Sequence, residues 1–191
     1  YAPHWDNTQG IRTSKEWLNI TGENGWLTKS PQATLEYYNP VVMSKMFMLH
    51  DASIYNNFDT EYFYWLDAGI TNTVPSSHLI ENKVLDKVID YTDNFLFLSW
   101  DYFNGDEIHG FKIEAANRFA GTKINYVCRG GFFGGHKEAI SEANTTYYSF
   151  LNDSLNEGFM GTEETIFCIM ASSQPSFYRR YHLDDNGLIL K

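Results

Sequence analysis

The sequence predicts an α/β fold in which a mixed β-sheet is flanked by helices. Three observations support this prediction. Short, continuous apolar runs such as "EYFYWLDAG" and "NFLFLSW" are typical of buried strands. Runs with apolar residues at helical spacing, such as "SHLIENKVLDKVIDYT", lie between them. Because the two kinds of segment alternate along the chain, some strands are expected to pair in parallel.

The predicted elements follow one another from residue 40 to residue 183. Strands are predicted at 61–69, 94–100, 123–130 and 176–183. Helices are predicted at 40–54, 77–92, 112–120, 136–152 and 161–172. In the helix at 40–54, Asn39 is the expected N-cap and Pro40 the first helical residue. Residues 1–40 are polar and interrupted by Gly and Pro, which predicts an irregular segment.

Composition limits the classes of partner. The 191 residues are 43% hydrophobic, which is enough for one domain, 1–191, with its own core. A formal net charge of −10 gives a surface that repels nucleic acid. No apolar run reaches the ~18 residues that a membrane helix needs. Cys128 and Cys168 lack zinc-type spacing and are expected to be buried thiols in a reducing compartment, the cytoplasm.

The apolar run at 61–69 ends in a carboxylate, Asp67, followed by the small residues Ala68 and Gly69. In open α/β sheets, ligands bind beyond the carboxyl ends of the strands. A carboxylate there can hold a divalent cation against substrate phosphates, and small neighbours leave room for the ligand. An Asx turn after the strand explains Asp67 equally well.

The stretch "GGFFGG", residues 130–135, is expected at a strand-to-helix junction. Its glycines permit close approach of a ligand, and Phe132 and Phe133 are expected to wall a pocket. It lacks both the GxGxxG spacing and the Lys-Ser/Thr pair of known phosphate-binding loops. The alternative is a tight turn with a packed aromatic pair.

Four charged or titratable residues are further candidates. Lys45 lies on an apolar helix face, where a lysine either snorkels to solvent or points into a cleft. Glu163 and Glu164 fall in the first turn of a helix, which favours acids in any case. A helix start at a sheet edge also presents catalytic carboxylates. His182 is either a metal ligand or a structural residue.

Taken together, "LEYYNPVVMSKMFML", "FDTEYFYWLDAGI", "GGFFGG" and "GTEE" occur in an order that resembles the bacterial HtrL/YibB (WlaTC-type) glycosyltransferase family. "FYWLDAG" also resembles the aspartate-motif strand of GT-A glycosyltransferases. "YVCRGGFFGGHKEAI" is similar to the donor and acceptor pocket of the histo-blood-group transferases. The resemblance spans about residues 32–182 and implies a GT-A-like (Rossmann-like) fold.

The resemblance assigns a role to each candidate. Asp67 corresponds to the Asp-x-Asp motif that holds Mn²⁺ or Mg²⁺ and the nucleotide diphosphate, although Gly69 replaces the second Asp. His182 is the second implied metal ligand. The implied donor-binding residues are Lys45, Asp67, Ala68 and Gly69; the implied sugar and acceptor pocket is Trp65, Gly130, Gly131, Phe132, Phe133, Gly134 and Gly135; and the implied catalytic residues are Glu164 and Glu163.

These implications lead to a main hypothesis and two alternatives. The main hypothesis is a glycosyltransferase that moves a sugar from a UDP-linked donor to a saccharide or other hydroxyl acceptor, with a metal aiding departure of the diphosphate. The alternative is a carbohydrate- or nucleotide-sugar-binding module, which the missing second Asp favours. A metal-dependent hydrolase is a third option, but no His/Asp cluster suits a two-metal site. Residues 1–38 do not resemble the nucleotide-binding βα unit of GT-A domains, so a fragment of a longer chain is expected.

Overall fold

A computed structural model describes residues 4–21, 25–69, 94–102 and 105–183. The strands are β1 Tyr62–Leu66, β2 Phe95–Asp101, β3 Glu107–Ile108, β4 Phe111–Lys112, β5 Tyr126–His136 and β6 Tyr178–His182. Four of them form a mixed sheet in the order β1-β5-β2-β6. Strand β5 is antiparallel to both of its neighbours, whereas β2 and β6 are parallel. The predicted class, a mixed α/β sheet flanked by helices, is confirmed.

Eight α-helices are described. They are α1 Trp5–Arg12, α2 Lys15–Thr21, α3 Trp26–Lys29, α4 Tyr38–Met43, α5 Lys45–Tyr55, α6 Ile113–Ala120, α7 Lys137–Asn156 and α8 Glu163–Ser173. Helices α6, α7 and α8 and strands β1, β2 and β6 agree with their predicted counterparts to within a few residues. The helix predicted at 77–92 lies outside the described residues.

The prediction of an irregular segment at 1–40 is wrong, because α1, α2, α3 and a 3₁₀ turn at Pro31–Thr34 occupy most of its described part. Each helix is shorter than the ~12 residues that an isolated helix needs in water. Tertiary contacts therefore hold them in place. Trp17, for example, is 2% exposed, and its indole N–H donates to the carbonyl of Met160 at 3.0 Å.

Asn39 does not cap a helix as expected. It lies inside α4 and is fully buried. Its amide donates to the carbonyl of Gly161 at 2.7 Å, and its Oδ1 accepts from Arg12. The side chain therefore ties α4 to the segment that leads into α8, and this packing role outweighs the capping preference of asparagine.

The stretch "GGFFGG" is not a junction between elements, since residues 130–135 lie inside the 11-residue strand β5. Gly134 shows why the pattern is compatible with a strand. Its φ is +148°, and a Cβ there would lie 2.2 Å from the carbonyl oxygen of Phe63 on β1. Glycine thus permits the close approach of two strands at this position.

The core lies between the sheet and helix α8. Phe133 of β5 and Phe97 of β2 both pack on Phe167 of α8, with ring centroids 4.7 Å and 4.8 Å apart. All three side chains are fully buried. This aromatic cluster fixes α8 against the sheet and thereby fixes where its first turn lies. No helix of the described part is long and apolar enough to cross a membrane.

Candidate functional site

A polar cleft of about 570 Å³ lies where β1 ends. One side is formed by the residues after β1 and by the part of β5 that includes Gly130 and Gly131. The opposite side is formed by the first turn of α8, the tip of the β3–β4 hairpin and the segment from α3 to α5. The cleft thus lies beyond the carboxyl end of a strand, the usual place for a ligand in an open α/β sheet.

Lys45 joins the two sides of the cleft. Its ammonium donates to Asp67 at 3.0 Å and to the carbonyl oxygen of Gly130 at 3.1 Å, and it lies 2.8 Å from Oε1 of Glu163. Burial disfavours the charged lysine, but the carboxylates of Glu163 and Asp67 outweigh it and raise the pKa of Lys45. Lys45 is therefore held in the cleft as a cation and does not snorkel away from it.

Asp67 is oriented by its own strand as well as by Lys45. Its backbone N–H donates to the carbonyl of Gly131 at 3.0 Å, so it continues the β1–β5 pairing by one residue. The indole N–H of Trp65 donates to Oδ1 at 2.6 Å. Trp65 in turn stacks on Phe133, with ring centroids 6.2 Å apart. Two side chains thus fix the carboxylate at the cleft, and the strand pairing fixes its backbone.

Gly130 lies beneath the two glutamates. A Cβ at this position would lie 1.9 Å from Oε1 of Glu163, so any side chain would displace that carboxylate. The backbone N–H of Gly130 donates to Oε1 of Glu164 at 2.7 Å. One glycine of β5 therefore contacts Lys45, Glu163 and Glu164 at once.

The two adjacent glutamates lie in different electrostatic environments. Glu163 is 3% exposed, and burial raises its pKa to about 7 despite the opposing effect of Lys45. Burial also acts on Glu164, but hydrogen bonding to His109, with the charges of His109 and Arg129, lowers its pKa to about 2. The pKa values of two neighbouring carboxyl groups are thus moved in opposite directions, a pattern typical of acid–base sites.

His109 reaches the cleft from the β3–β4 hairpin. Its Nδ1 lies 3.1 Å from Oε2 of Glu164 and 3.3 Å from the hydroxyl of Thr162. His109 and Gly110 have φ of +49° and +92°, and they form the two-residue loop between Ile108 and Phe111. Two positive φ angles are the mark of a tight I′ hairpin turn.

An aromatic wall adjoins His109. Trp26 packs against the imidazole on one side and against Tyr38 on the other, with ring centroids 5.8 Å apart in both pairs. Ser30 and Gln32 complete this wall of the cleft. Flat aromatic faces beside hydroxyl and amide groups suit the alternating apolar and polar surface of a sugar.

Arg129 supplies a second fixed cation. Its guanidinium lies over the ring of Trp100 at 4.1 Å, and it lines the cleft. Its buried Nε makes no hydrogen bond to any of the described residues. Beside the cleft, the described residues thus leave one guanidinium donor of Arg129 without a partner.

The structure brings eight predicted site residues together at the cleft: Lys45, Asp67, Ala68, Gly69, Gly130, Gly131, Glu163 and Glu164. Both glutamates line the cleft. Adjacent helical residues diverge by ~100°, but the cleft meets α8 end-on, so Glu163 points towards Lys45 and Glu164 towards His109.

Five predicted pocket residues do not line the cleft. Trp65 is one of them, although its indole N–H donates to Asp67. Phe133 is fully buried among core aromatic rings, and Phe132 is 5% exposed and stacks on Tyr64. Gly134 and Gly135 approach the backbone of Phe63 and Asn94 on neighbouring segments. The prediction that Phe132 and Phe133 wall the pocket is therefore wrong, because residues 132–135 pack within the sheet.

His182 is also far from Asp67. It lies on β6 and Asp67 follows β1, and these are the two outer strands of the four-stranded sheet. Three inter-strand spacings separate them, a distance of ~14 Å. The imidazole of His182 instead lies 3.9 Å from Asp101. The two residues cannot coordinate one metal ion.

The described residues do not fit a resident divalent cation. Within the described ranges, no three His, Cys, Asp or Glu side chains are grouped as metal ligands. The carboxylate of Asp67 already binds the Lys45 ammonium and the Trp65 indole. A metal at Asp67 would have to displace Lys45.

Sequence reasoning missed His109, Arg129, Trp26 and Tyr38. The pattern "IHGF" at 108–111 was the available signal for the hairpin, since a two-residue loop ending in Gly separates apolar residues. Trp26 and Tyr38 have no comparable signal in the sequence, because their helices depend on tertiary packing.

The fold and cleft define a mixed α/β protein with a charged cleft at the edge of its sheet. The chain belongs to the HtrL_YibB family, described as a bacterial protein of unknown function, whose model matches residues 14–185. The resemblance to this family is thus confirmed. Comparisons with curated proteins and with solved structures gave no match.

Proposed function

We propose that this chain is a glycosyltransferase with a GT-A-like domain, which moves a sugar from a UDP-linked donor to a saccharide or other hydroxyl acceptor. The observation that carries the proposal is the pair of glutamates at the first turn of α8. One has a raised pKa and the other a lowered pKa, and both line a cleft that also holds fixed cations. Glycosyl transfer needs such groups, because a proton leaves the acceptor while negative charge develops on the departing diphosphate.

Lys45 and Arg129 are the proposed donor-phosphate ligands. Both are fixed by other side chains before a ligand arrives, Lys45 by two carboxylates and Arg129 by the ring of Trp100. Fixed cations stabilise developing charge without reorganising during the reaction. Ala68 and Gly69 line the cleft next to Asp67, and their small size leaves room for a diphosphate against the backbone.

The aromatic wall of Trp26 and Tyr38 is the proposed sugar-binding side. It lies opposite the strand end that carries Asp67, so donor and acceptor would enter the cleft from different sides. The free, buried thiols of Cys128 and Cys168 suit the reducing cytoplasm, where nucleotide sugars are also available.

Calorimetric titration of UDP with and without Mn²⁺ tests the donor site. We expect UDP to bind the wild type, and Lys45→Met to weaken binding at least about tenfold because the phosphates lose their main cation. Lys123→Met is the matched control, since Lys123 is exposed outside the cleft, and its affinity should equal that of the wild type. Because Lys45 already neutralises Asp67, we expect Mn²⁺ to change the affinity little. A strong Mn²⁺ requirement that Asp67→Asn abolishes would restore the metal-bridging role to Asp67.

Release of UDP from a panel of UDP-sugars, with and without saccharide acceptors, tests the activity. Acceptor-dependent release supports the transferase. Binding of UDP-sugars without any release would support the alternative, a nucleotide-sugar-binding module. Failure of both UDP and UDP-sugars to bind a folded wild-type protein would overturn the proposal.

A further inference from the structure

The Glu164–His109 pair is built more rigidly than a surface ion pair. Glu164 is held from two sides, by the backbone N–H of Gly130 on Oε1 and by His109 on Oε2. His109 is held by its hairpin turn, by Thr162 and by the ring of Trp26. Both side chains line the cleft and are mostly buried, at 16% and 22% exposed.

This arrangement determines which ring nitrogen carries the hydrogen. A carboxylate only accepts hydrogen bonds, so Nδ1 of His109 is the donor to Glu164. Among the described residues, both polar contacts of the imidazole are made through Nδ1. Nε2 therefore carries the lone pair of the neutral ring, on a residue that lines the cleft.

We propose that His109 is the catalytic base that accepts the proton of the acceptor hydroxyl, and that Glu164 is its positioning residue. The inference rests on the proposed function and adds the identity of the base. Glu163 is a poorer candidate, because its carboxyl group lies 2.8 Å from the Lys45 ammonium and is engaged there.

The step balances in atoms and electrons. The acceptor oxygen forms a bond to the anomeric carbon of the donor sugar as the bond from that carbon to the diphosphate oxygen breaks. The electron pair leaves with the diphosphate, beside Lys45 and Arg129. The hydroxyl proton passes to Nε2 of His109, and Glu164 stabilises the imidazolium until water takes the proton. Because this is a single displacement, it inverts the anomeric carbon.

Charges around His109 set its pH dependence. The groups that face it are Glu164 and Glu163 from α8 and Glu107 from its own hairpin. Burial alone disfavours the charged ring, but these carboxylates outweigh burial and raise the pKa of His109. His109 therefore becomes a neutral base only above the pH range in which histidine ordinarily loses its proton.

His109→Asn and Glu164→Gln test the inference. Asparagine tolerates positive φ better than other non-glycine residues, so the hairpin should be retained. We expect His109→Asn to lower kcat by roughly 10²- to 10³-fold with little change in donor KM. His50→Asn is the control, since His50 also lies beside a carboxylate, Asp51 at 3.9 Å, but outside the cleft.

Two further readouts separate a base from a merely structural residue, and a third tests the single displacement. In the wild type, kcat should rise with pH as His109 loses its proton, and Glu164→Gln should move that rise to lower pH while reducing the plateau. NMR titration of the imidazole nitrogens should show the same downward pKa shift for His109 in Glu164→Gln. NMR of the product should show inverted anomeric configuration.

The outcomes distinguish this inference from the proposed function. If the wild type transfers sugar and folded His109→Asn does so equally fast, His109 is not the base, but the proposed transferase activity is supported. Retention of the anomeric configuration would also contradict the role of His109 as the base, without contradicting the transferase activity. A wild type that turns over no donor overturns the transferase and the base together.

Discussion

Gly130 is the residue on which the cleft depends most directly. It has no side chain to displace Glu163, its carbonyl accepts from Lys45 and its N–H donates to Glu164. An alanine here would place a methyl group 1.9 Å from Oε1 of Glu163, well inside van der Waals contact. Because Glu163 is tied to Lys45, it cannot move without disturbing that ion pair.

We therefore expect Gly130→Ala to lower the free energy of unfolding by about 1–3 kcal/mol and to weaken UDP binding. Gly10→Ala is the control, because a Cβ at Gly10 in α1 meets no atom within 4 Å. It should raise stability by about 0.5–1 kcal/mol. Urea unfolding and UDP calorimetry provide the measurements. Unchanged stability and binding in Gly130→Ala would contradict this account of the site.

Some residues of the cleft could be predicted from the sequence, and others could not. Asp67, Lys45 and the two glutamates were predictable, because a strand end, an apolar helix face and a helix start are local patterns. His109 was not, since its place in the cleft depends on how the hairpin packs against Trp17 and Thr21. Arg129 precedes the predicted glycine stretch, but only the strand register directs it to the cleft.

At the level of elements, the β3–β4 hairpin links α2, α3 and α8. Gly110 packs against α2, and a Cβ there would lie 3.0 Å from both Trp17 and Thr21. His109 contacts Trp26 of α3 and Thr162 before α8. A turn of two residues thus packs on α2 through Gly110 and positions the imidazole of His109 against α3 and the start of α8.

Gly110→Ala should lower the free energy of unfolding by about 1–3 kcal/mol, because alanine is strained at φ of +92° and also meets Trp17. Gly158→Ala has a similar φ of +81° but open space around the new methyl group. Urea unfolding of both variants separates backbone strain from contact with α2. If both variants lose the same free energy of unfolding, contact between the new methyl group and α2 contributes nothing to the loss.

At the level of elements, the predictions for residues 130–135 and 1–40 are wrong because glycine was assumed to end a strand or helix. In β5 the glycines permit close contacts with Glu163 and with the backbone of β1, so the strand continues through 130–135. In the first 40 residues, Gly10 lies inside α1 and Pro40 lies inside α4. Short helices form there because neighbours bury their apolar sides. Local propensity cannot distinguish these cases, since both outcomes depend on tertiary contacts.

For the whole molecule, the Glu164–His109 pair predicts a stability maximum in mildly acidic solution. The pKa of Glu164 is lowered from 4.5 to about 2, so its contribution is present above pH 4.5 and is lost as the pH falls towards 2. The pKa of His109 is raised above 6.5, so its contribution is present below pH 6.5 and is lost as the pH rises through the folded-state value.

We expect the wild type to exceed Glu164→Gln in unfolding free energy by on the order of 2–3 kcal/mol between about pH 4.5 and 6.5. The difference should shrink at about pH 3 and at about pH 8.5. Urea unfolding at the three pH values measures the difference, and a difference that does not vary with pH would show that the pair is not ionic.

The pairing of β1 with β5 has a consequence for how the protein folds. It joins residues that lie roughly 70 positions apart, as in Tyr64 opposite Gly134. Contacts so distant in sequence form slowly, because a long loop must close before they stabilise anything. Helices α7 and α8 can form sooner from local contacts. During refolding, helical circular dichroism should therefore recover before the chain regains its capacity to bind UDP.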